Sequence, residues 1–426
     1  MARINIHDVE SIPAPPQQVV LAALEDPQEE WEESLAELER LADTANGQVV
    51  AVLTQRRHRP DPATYFGKGK VEEIGEAVQR GAATLVIIDG EVAPSQQRNL
   101  EKILDTQVID RTGLILDIFA RRAHTAEGKL QVELAQLQYL LPRLANMWSH
   151  LERIRGGIGL RGPGETQIET DRRLVRKHIL ILQRKVEEIR QRRAVQRSQR
   201  AQSQIPLLSL VGYTNAGKST LLNALSQAGV FVEDKLFATL DPTTRDVSFP
   251  NGARALVSDT VGFIRNLPTQ LVAAFRATLE EVTSAELLVH VIDAANSGWV
   301  EQVETVERVL QELGAGQKPT VMAFNKMDQV DDPALLRQLA SRYPYHVFLS
   351  ASRGEGLSEL GEMIMTVLRA EWQTVDVVLP LAAGILLAEL HGRGEVLQEE
   401  YGETTVHIAG RAPADLAGRI RAKSAG

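Results

Sequence analysis

The sequence predicts a multidomain α/β protein whose central domain is a mostly parallel sheet flanked by helices. Three observations carry this. Short apolar runs of strand length alternate with helix-length amphipathic segments. Polar motifs follow several of these runs, as they do at the ligand edge of an open α/β sheet. One of these motifs, Gly212-Tyr213-Thr214-Asn215-Ala216-Gly217-Lys218-Ser219, has the form G-x-x-x-x-G-K-S.

That loop lies between the apolar run Leu207–Val211 and the helix-like stretch Thr220–Leu225, the context in which such a loop cradles phosphates. The unpaired N–H groups and dipole of a helix start attract anions. Gly212 and Gly217 let the backbone wrap the phosphates closely. Lys218 is expected to bridge the β- and γ-phosphates, with the Ser219 hydroxyl on Mg²⁺ and Thr220 opening the helix.

The base is read further along. Asn325-Lys326-Met327-Asp328 follows the apolar run Thr320–Phe324. A carboxylate at Asp328 can accept from both N1–H and the exocyclic amine of guanine, whereas adenine leaves it unpaired. Hydrogen-bonded sites of this kind reject the wrong ligand by about 10⁴-fold or more. Asn325 is expected to tie this loop to the phosphate loop, and the Lys326 stem to cover the base. The backbone of Ser350-Ala351-Ser352, after the run Tyr345–Leu349, is expected to meet the guanine oxygen. Between these segments, Asp259-Thr260-Val261-Gly262 follows the run Ala253–Ser258. Asp259 is expected to hold Mg²⁺ through a water, because Mg²⁺ takes few carboxylates and keeps several waters. The Gly262 N–H would meet the γ-phosphate. The gaps from Lys218 to Asp259 (41 residues), Asp259 to Asn325 (66) and Asp328 to Ser350 (22) each hold strand-and-helix units of ordinary size.

Around this domain, 426 residues leave room for others. Residues 1–113 read as an α/β subdomain, with strands at 48–53 and 84–89 and helices at 30–42, 70–80 and 96–104. Phe66-Gly67-Lys68-Gly69-Lys70 precedes a helix and lacks the second half of a phosphate loop; it reads as a plain basic turn, with a phosphate or RNA contact as the alternative. Residues 114–200 read as a helical hairpin. Leu130, Leu134, Leu137, Leu141 and Leu144 form one heptad-like stripe, and Val175, Ile179, Leu182, Val186 and Ile189 another. Its tip, 145–170, is Gly-rich and carries Arg153, Arg155 and Arg161. From Asp171 to Arg200 there are 11 Lys/Arg against 3 Asp/Glu, although the whole chain has net charge −9. A local excess of one sign is the footprint of a polyphosphate ligand; a solvated helix face is the plainer reading. Residues 194–206 read as a linker ending at Pro206, residues 205–371 as the nucleotide domain closed by a helix at 357–370, and residues 372–426 as a small α/β domain. The chain has no cysteine, so disulfides and thiolate metal sites are excluded. The start, Met1–Asn5, has no leader pattern, and the apolar stretch Val377–Leu390 is too short to span a membrane. A cytoplasmic location is expected.

Taken together, Gly212–Ser219, Phe237-Ala238-Thr239-Leu240-Asp241, Asp259–Phe263, Asn325–Asp328 and the Gly-Pro-Gly-Glu-Thr-Gln stretch at 162–167 resemble the HflX family of translation-associated GTPases over nearly the whole length. The resemblance implies binding of GTP and GDP, a nucleotide contact along Phe237–Asp241, and Thr239 as the switch threonine that completes the Mg²⁺ shell, with Thr243 and Thr244 as alternatives. It also implies the large ribosomal subunit and its rRNA as partner, in ribosome splitting, rescue or biogenesis, with hydrolysis stimulated there; another structured RNA is the alternative. A monomer is expected. Lys218, Thr239 and Gly262 form the expected catalytic set. Many GTPases place a water-orienting glutamine just after Asp-x-x-Gly. Phe263 stands there, so slow intrinsic hydrolysis is expected until docking orders residues 231–246 and 260–270. Asn215 is a candidate ligand for K⁺, or simply a loop-stabilising amide. A metabolic kinase or ATPase is disfavoured by Asn325–Asp328, and a vestigial nucleotide domain by the intact Lys218, Ser219, Thr239 and Asp259. A tRNA-modifying GTPase is disfavoured by the absence of cysteine.

Overall fold

A computed structural model describes residues 16–26, 31–144, 164–200, 205–226, 236–237, 239–241, 243–249, 254–265, 276–370 and 372–424. The tip arginines, Ala238 and much of both switch segments fall outside them. The chain divides into two compact units, Met1–Arg121 with Val132–Ile181, and Arg122–Gln131 with Leu182–Gly426.

The first unit is built on four parallel strands in the order β2-β1-β3-β4. These are β1 (Gln17–Glu25), β2 (Gly47–Arg56), β3 (Leu85–Asp89) and β4 (Gln107–Asp110), joined by α1 (Trp31–Thr44), α2 (Lys68–Gly81) and α3 (Pro94–Leu104). The inner strands β1 and β3 are buried without a break over Val19–Ala23 and Leu85–Ile88, as strands covered on both faces must be. α4 (Arg111–Arg122) runs through the expected boundary at 113 and buries Leu114, Ile115, Leu116, Ile118 and Phe119.

Two charged clusters fix this unit. The Asp110 carboxylate accepts from Gly113 N (2.9 Å), capping α4, and from Val92 N (3.3 Å), Tyr139 Oη (2.9 Å) and Arg143 Nη2 (2.9 Å). Burial and the Asp110 charge push the Tyr139 phenol above its ordinary range. Next to it in sequence, buried Arg111 pairs with Glu37 and with Asp89 (3.0 Å), and donates to Ser34 O and Oγ. A cavity of about 410 Å³ opens among Gln17, Leu85, Gln107, Arg121 and Tyr139. It lies at the amino-terminal ends of the strands, opposite the end where such sheets bind ligands.

Within the stretch expected to form a hairpin, the described helices are α5 (Ala126–Leu140) and α6 (Gly164–Arg200). His178 Nε2 lies 2.9 Å from Glu133 Oε1. On α6 the expected stripe is the one that buries: Ile179 and Leu182 are buried, and Val175, Val186 and Ile189 are half-buried. On α5 the buried face shifts to Val132, Leu134, Ala135 and Tyr139, while Leu130, Leu137 and Leu141 are only half-buried. The Asp110 acceptor selects the Tyr139 face over the leucine stripe. α6 is longer than expected at both ends. Residues 164–170, assigned to the tip, begin the helix, because neither Gly nor Pro follows Gly164 there. Residues 194–200, assigned to the linker, continue it, because Ala, Gln and Arg are good helix formers however polar the segment.

The second unit holds a six-stranded sheet of order β10-β9-β8-β5-β7-β6. Its strands are β5 (Leu207–Val211), β6 (Thr243–Ser248), β7 (Arg254–Asp259), β8 (Leu287–Asp293), β9 (Thr320–Asn325) and β10 (His346–Phe348). All pairs are parallel except β6 on β7. The chain leaves β5 toward β7 on one side and later returns to β8 on the other, so the end of β5 is the topological switch point. The helices are α7 (Lys218–Ser226), α8 (Arg276–Ser284), α9 (Trp299–Glu312), α10 (Pro333–Ala340) and α11 (Leu357–Ala370). Leu208, Leu210, Leu221, Val257, Val289, Val321, Leu360 and Ile364 share one core. The tail forms an antiparallel sheet of order β11-β13-β12, from β11 (Gln373–Pro380), β12 (Glu395–Tyr401) and β13 (Thr405–Ala412), with α12 (Gly384–Arg393) and α13 (Ala414–Ser424). No helix among the described residues is long and apolar enough to cross a membrane.

Replacing Arg111 with Met should cost about 3–5 kcal/mol, because Glu37 and Asp89 then lose their shared buried cation. Hydrogen exchange of the β1 and β3 amides should show the loss, and the Glu37→Leu/Asp89→Leu/Arg111→Met variant should recover most of it.

Candidate nucleotide site

The site is built from loops that leave the carboxyl ends of β5, β7, β9 and β10. The first is the 212–219 loop, which turns through Gly212 (φ +148°) and Gly217 (φ +95°). A Cβ on Gly217 would sit 2.2 Å from Asn325 Nδ2, and one on Gly212 the same distance from Val291 O. Both positions therefore need glycine for shape and for close approach. Asn215 also has a left-handed backbone, at φ +62°, which asparagine tolerates better than most residues.

Lys218 is buried at the start of α7. Its Nζ donates to Gly212 O (3.0 Å) and Tyr213 O (2.7 Å). An ammonium has three N–H donors, so one is left to address a phosphate. Burial pushes this lysine down to about 8, and Asp259 partly opposes that. Ser219 Oγ lies 2.6 Å from both Thr239 Oγ1 and Asp259 Oδ2. Burial pushes the Asp259 carboxyl up, against Lys218 and Ser219. Its Oδ1 is buried without a hydrogen-bond partner. Two hydroxyls and a carboxylate with an uncommitted oxygen are the hard donor set that suits Mg²⁺. Of the candidate threonines, Thr239 is the one in this cluster. Thr244 lies on β6 with Oγ1 3.4 Å from Ser258 Oγ, and Thr243 is exposed at the start of that strand.

The 259–263 segment is laced to the phosphate loop. Phe263 N donates to Gly212 O (3.1 Å) and Thr214 N to Phe263 O (2.8 Å). Thr260 Oγ1 donates to Leu210 O (2.7 Å). Gly262 packs where a Cβ would lie 3.0 Å from Lys218 Nζ, so its backbone borders the lysine. The Phe263 side chain is buried, and Tyr213 Oη accepts from Arg265 N (2.8 Å). Tyr213 thus acts as an anchor for the following segment, a role its place in the loop motif does not announce.

Asn325 joins three loops. Its Nδ2 donates to Ala216 O (2.8 Å), and its Oδ1 accepts from Ala351 N (2.9 Å). Ser350 N is bonded to Glu355 O (3.0 Å). Asp328 Oδ1 accepts from Ser350 Oγ (2.7 Å), which holds its carboxyl below the usual range, helped by Arg353 and Lys326. Lys326, at φ +63°, donates from Nζ to Asp293 Oδ2 (2.8 Å). Met327 opens a single 3₁₀ turn. Phe237 and Leu240 are buried, so their side chains anchor the segment that carries Thr239. Asp241 is bonded to the backbone of His124 and Thr125.

Sequence reasoning missed His290 and Asp293. His290 pairs in register with Val211 and is pushed down to about 3, by burial first and Lys218 second, so it is neutral. Its burial inside an apolar β8 carries no motif; Asp293, at the strand's carboxyl end, had positional value alone.

Replacing Gly217 with Ala should weaken GTP affinity by at least roughly 100-fold, from a left-handed β-carbon and the collision with Asn325. Titration calorimetry measures this, and an unchanged melting temperature would separate it from unfolding.

Three family models match in order: a GTP-binding GTPase N-terminal region over residues 32–120, a GTP-binding GTPase middle region over 122–200, and a 50S ribosome-binding GTPase over 208–326. The GTPase HflX of Magnetococcus marinus is 46% identical over 417 residues, covering 97% of this chain and 96% of its own. The GTPase HflX of Escherichia coli is 46% identical over 389 residues, covering 91% of each. That of Caldanaerobacter subterraneus is 44% identical, covering 95% of this chain and 92% of its own. A solved GTP-binding protein of Sulfolobus solfataricus in complex with GDP is 24% identical, with TM-score 0.45, over 83% of this chain and 98% of its own. Motifs, site geometry and near-full-length relatives converge: this chain belongs to the HflX family of GTPases.

Proposed function

We propose that this GTPase binds GTP and GDP in the pocket formed by 212–220, 259–262, 325–328 and 350–352, and acts on the large ribosomal subunit, where docking stimulates hydrolysis. The observation that carries the guanine reading is the half-buried Asp328, oriented by Ser350 and fixed beside the phosphate loop through Asn325. A wrong base would leave that carboxylate with Ser350 and Arg353 alone as partners, without the two N–H donors of guanine. Ser219, Thr239 and, through a water, Asp259 would hold Mg²⁺, which would supply positive charge against that of the phosphates.

Hydrolysis transfers the γ-phosphoryl group to water and breaks the bond to the β-phosphate oxygen, which leaves with GDP. This needs positioning and charge more than covalent chemistry. The Lys218 ammonium, with two donors committed to loop carbonyls, presents the third at a fixed angle. The N–H groups of the 212–219 loop and of Gly262 surround the transferred group. No side chain that can orient water stands at position 263, because Phe263 is buried and its backbone is committed to the loop. Slow turnover in isolation follows, with the missing positioning supplied on the partner.

Support for the ribosomal partner comes from the family model over 208–326, described as a 50S ribosome-binding GTPase. α6 adds to it: Arg173, Arg176, Lys177, Arg184, Lys185 and Arg192 are all exposed on a helix from an acidic chain. Lys and Arg that neutralise phosphates release counterions, so such binding falls steeply with salt. The full chain should pellet with large subunits in the presence of a non-hydrolysable GTP analogue. Attachment should be lost when Arg173, Arg176, Lys177, Arg184 and Lys185 are changed to Gln. Unchanged pelleting of that variant refutes the role of the helix, and retention of tRNA in place of subunits would redirect the reading to another structured RNA.

Asn215 is assigned to K⁺ through its side-chain oxygen, a fixed positive charge beside the phosphates. The left-handed backbone gives asparagine an independent reason to be there, so the assignment rests on one measurement. GTP turnover should be faster in KCl than in NaCl, and equal rates would remove K⁺ from the site.

A further inference from the structure

Asp241 has a use that nucleotide chemistry does not require. Its Oδ2 accepts from the backbone N–H groups of His124 and Thr125, at 2.9 Å each, and its Oδ1 accepts from Thr125 Oγ1. These donors stand at the amino-terminal end of α5. Thr125 caps that helix from within: Gly128 N donates to Thr125 Oγ1 (2.9 Å) and Lys129 N to Thr125 O (3.0 Å). The fit is close, since a Cβ on Gly128 would lie 2.3 Å from Asp241 Oδ1. Residues 122–131 precede the phosphate loop by some 80 positions, yet they fold into the same compact unit. An anion at a helix start is held by unpaired N–H groups and by the dipole.

Two residues earlier is Thr239, whose hydroxyl meets Ser219. Leu240 between them is buried, so this short piece of backbone is fixed at its middle and at both ends. We propose that Asp241, docked on the His124–Gly128 turn, is a positioning residue for Thr239: it sets the switch threonine at the hydroxyl cluster and so favours the triphosphate over the diphosphate. The proposal rests on the reading of Thr239 as the switch threonine. It acts through a second residue, so its effect belongs to GTP and its analogues, which engage that threonine, and spares GDP, which does not.

The test uses the full chain, with affinity for a non-hydrolysable GTP analogue and for GDP, and with kcat and KM for GTP. Asp241→Asn presents an amide where N–H groups donate, and Thr125→Val removes the hydroxyl but keeps the shape. Each should weaken analogue binding roughly ten-fold, as one lost charge-assisted bond does, while GDP affinity moves less than about two-fold. Thr125→Ser should behave as the parent. Thr239→Ala should reproduce the pattern, and Asp241→Asn added to it should cost little more, since coupled residues are not additive. Equal losses for GDP and the analogue, or full additivity with Thr239→Ala, would reduce Asp241 to a general prop and overturn the proposal. Normal analogue binding by Asp241→Asn beside an impaired Thr239→Ala would also overturn it while leaving the threonine assignment standing. Normal binding by Thr239→Ala would remove the assignment itself.

Discussion

The site depends on one amide. Asn325 donates to the phosphate loop and accepts from the loop after β10, while its own loop carries Asp328. Phosphates and base lie at opposite ends of a nucleotide, so a pocket that reads both must hold separate loops at a fixed separation. Loops at strand ends are ordinarily the mobile part of an α/β fold. A buried side chain with one donor and one acceptor aimed at two backbones removes that freedom. An aspartate could not donate to Ala216 O, and a leucine would leave both backbone groups unpaired in a buried place. Gly217 is the complement of this choice, because any side chain there would occupy the space of the amide.

The same logic, charge held by directed hydrogen bonds, organises the first unit without any ligand. Asp110 and Arg111 are neighbours at the junction of β4 and α4, and each anchors a different cluster. One draws in Tyr139 from the end of α5 and Arg143 from the turn after it, the other Glu37 and Asp89 from α1 and β3. Buried pairs of this kind add little net stability over an apolar core, yet they punish any other arrangement severely. Their effect is to fix which face of α5 turns inward. That is why the buried face follows Tyr139 rather than the leucine stripe.

Much of this architecture was legible in the sequence where local signals are strong. The runs that became β5, β7, β9 and β10, and the helix Leu357–Ala370, carry apolar patterning of one length and type, whereas the equally apolar β8 was not read because no polar motif follows it. β1 was not read, although it is the second strand of its sheet: Val-Val-Leu-Ala-Ala-Leu suits a helix as well as a strand, and only pairing with β2 and β3 decides. β4 is four residues long, too short to show a period. β6 is an edge strand, polar at every position but Val247, whose identity comes from its antiparallel partner. In the site, the expected residues lie in contiguous motifs, and it is the folded chain that brings the Thr239 hydroxyl to Ser219 while Thr243 and Thr244 lie on β6. Contacts such as Asp241 with Thr125 span 116 positions, and nothing in a linear pattern marks such a pair.

The place of Phe263 shows how pocket and timing are connected. In a GTPase with glutamine at this position the chain itself can orient the attacking water. Here the side chain turns into the core, and its backbone spends both hydrogen-bonding groups on the phosphate loop. The lacing has two effects. It brings Gly262 against Lys218, and it leaves no polar side chain at that position to hold water. Under the proposed function, a poor hydrolytic step in isolation would give a long-lived GTP state. Such a state suits a protein whose hydrolysis is meant to report arrival at a partner, because the signal is then the partner's contribution and not a spontaneous event.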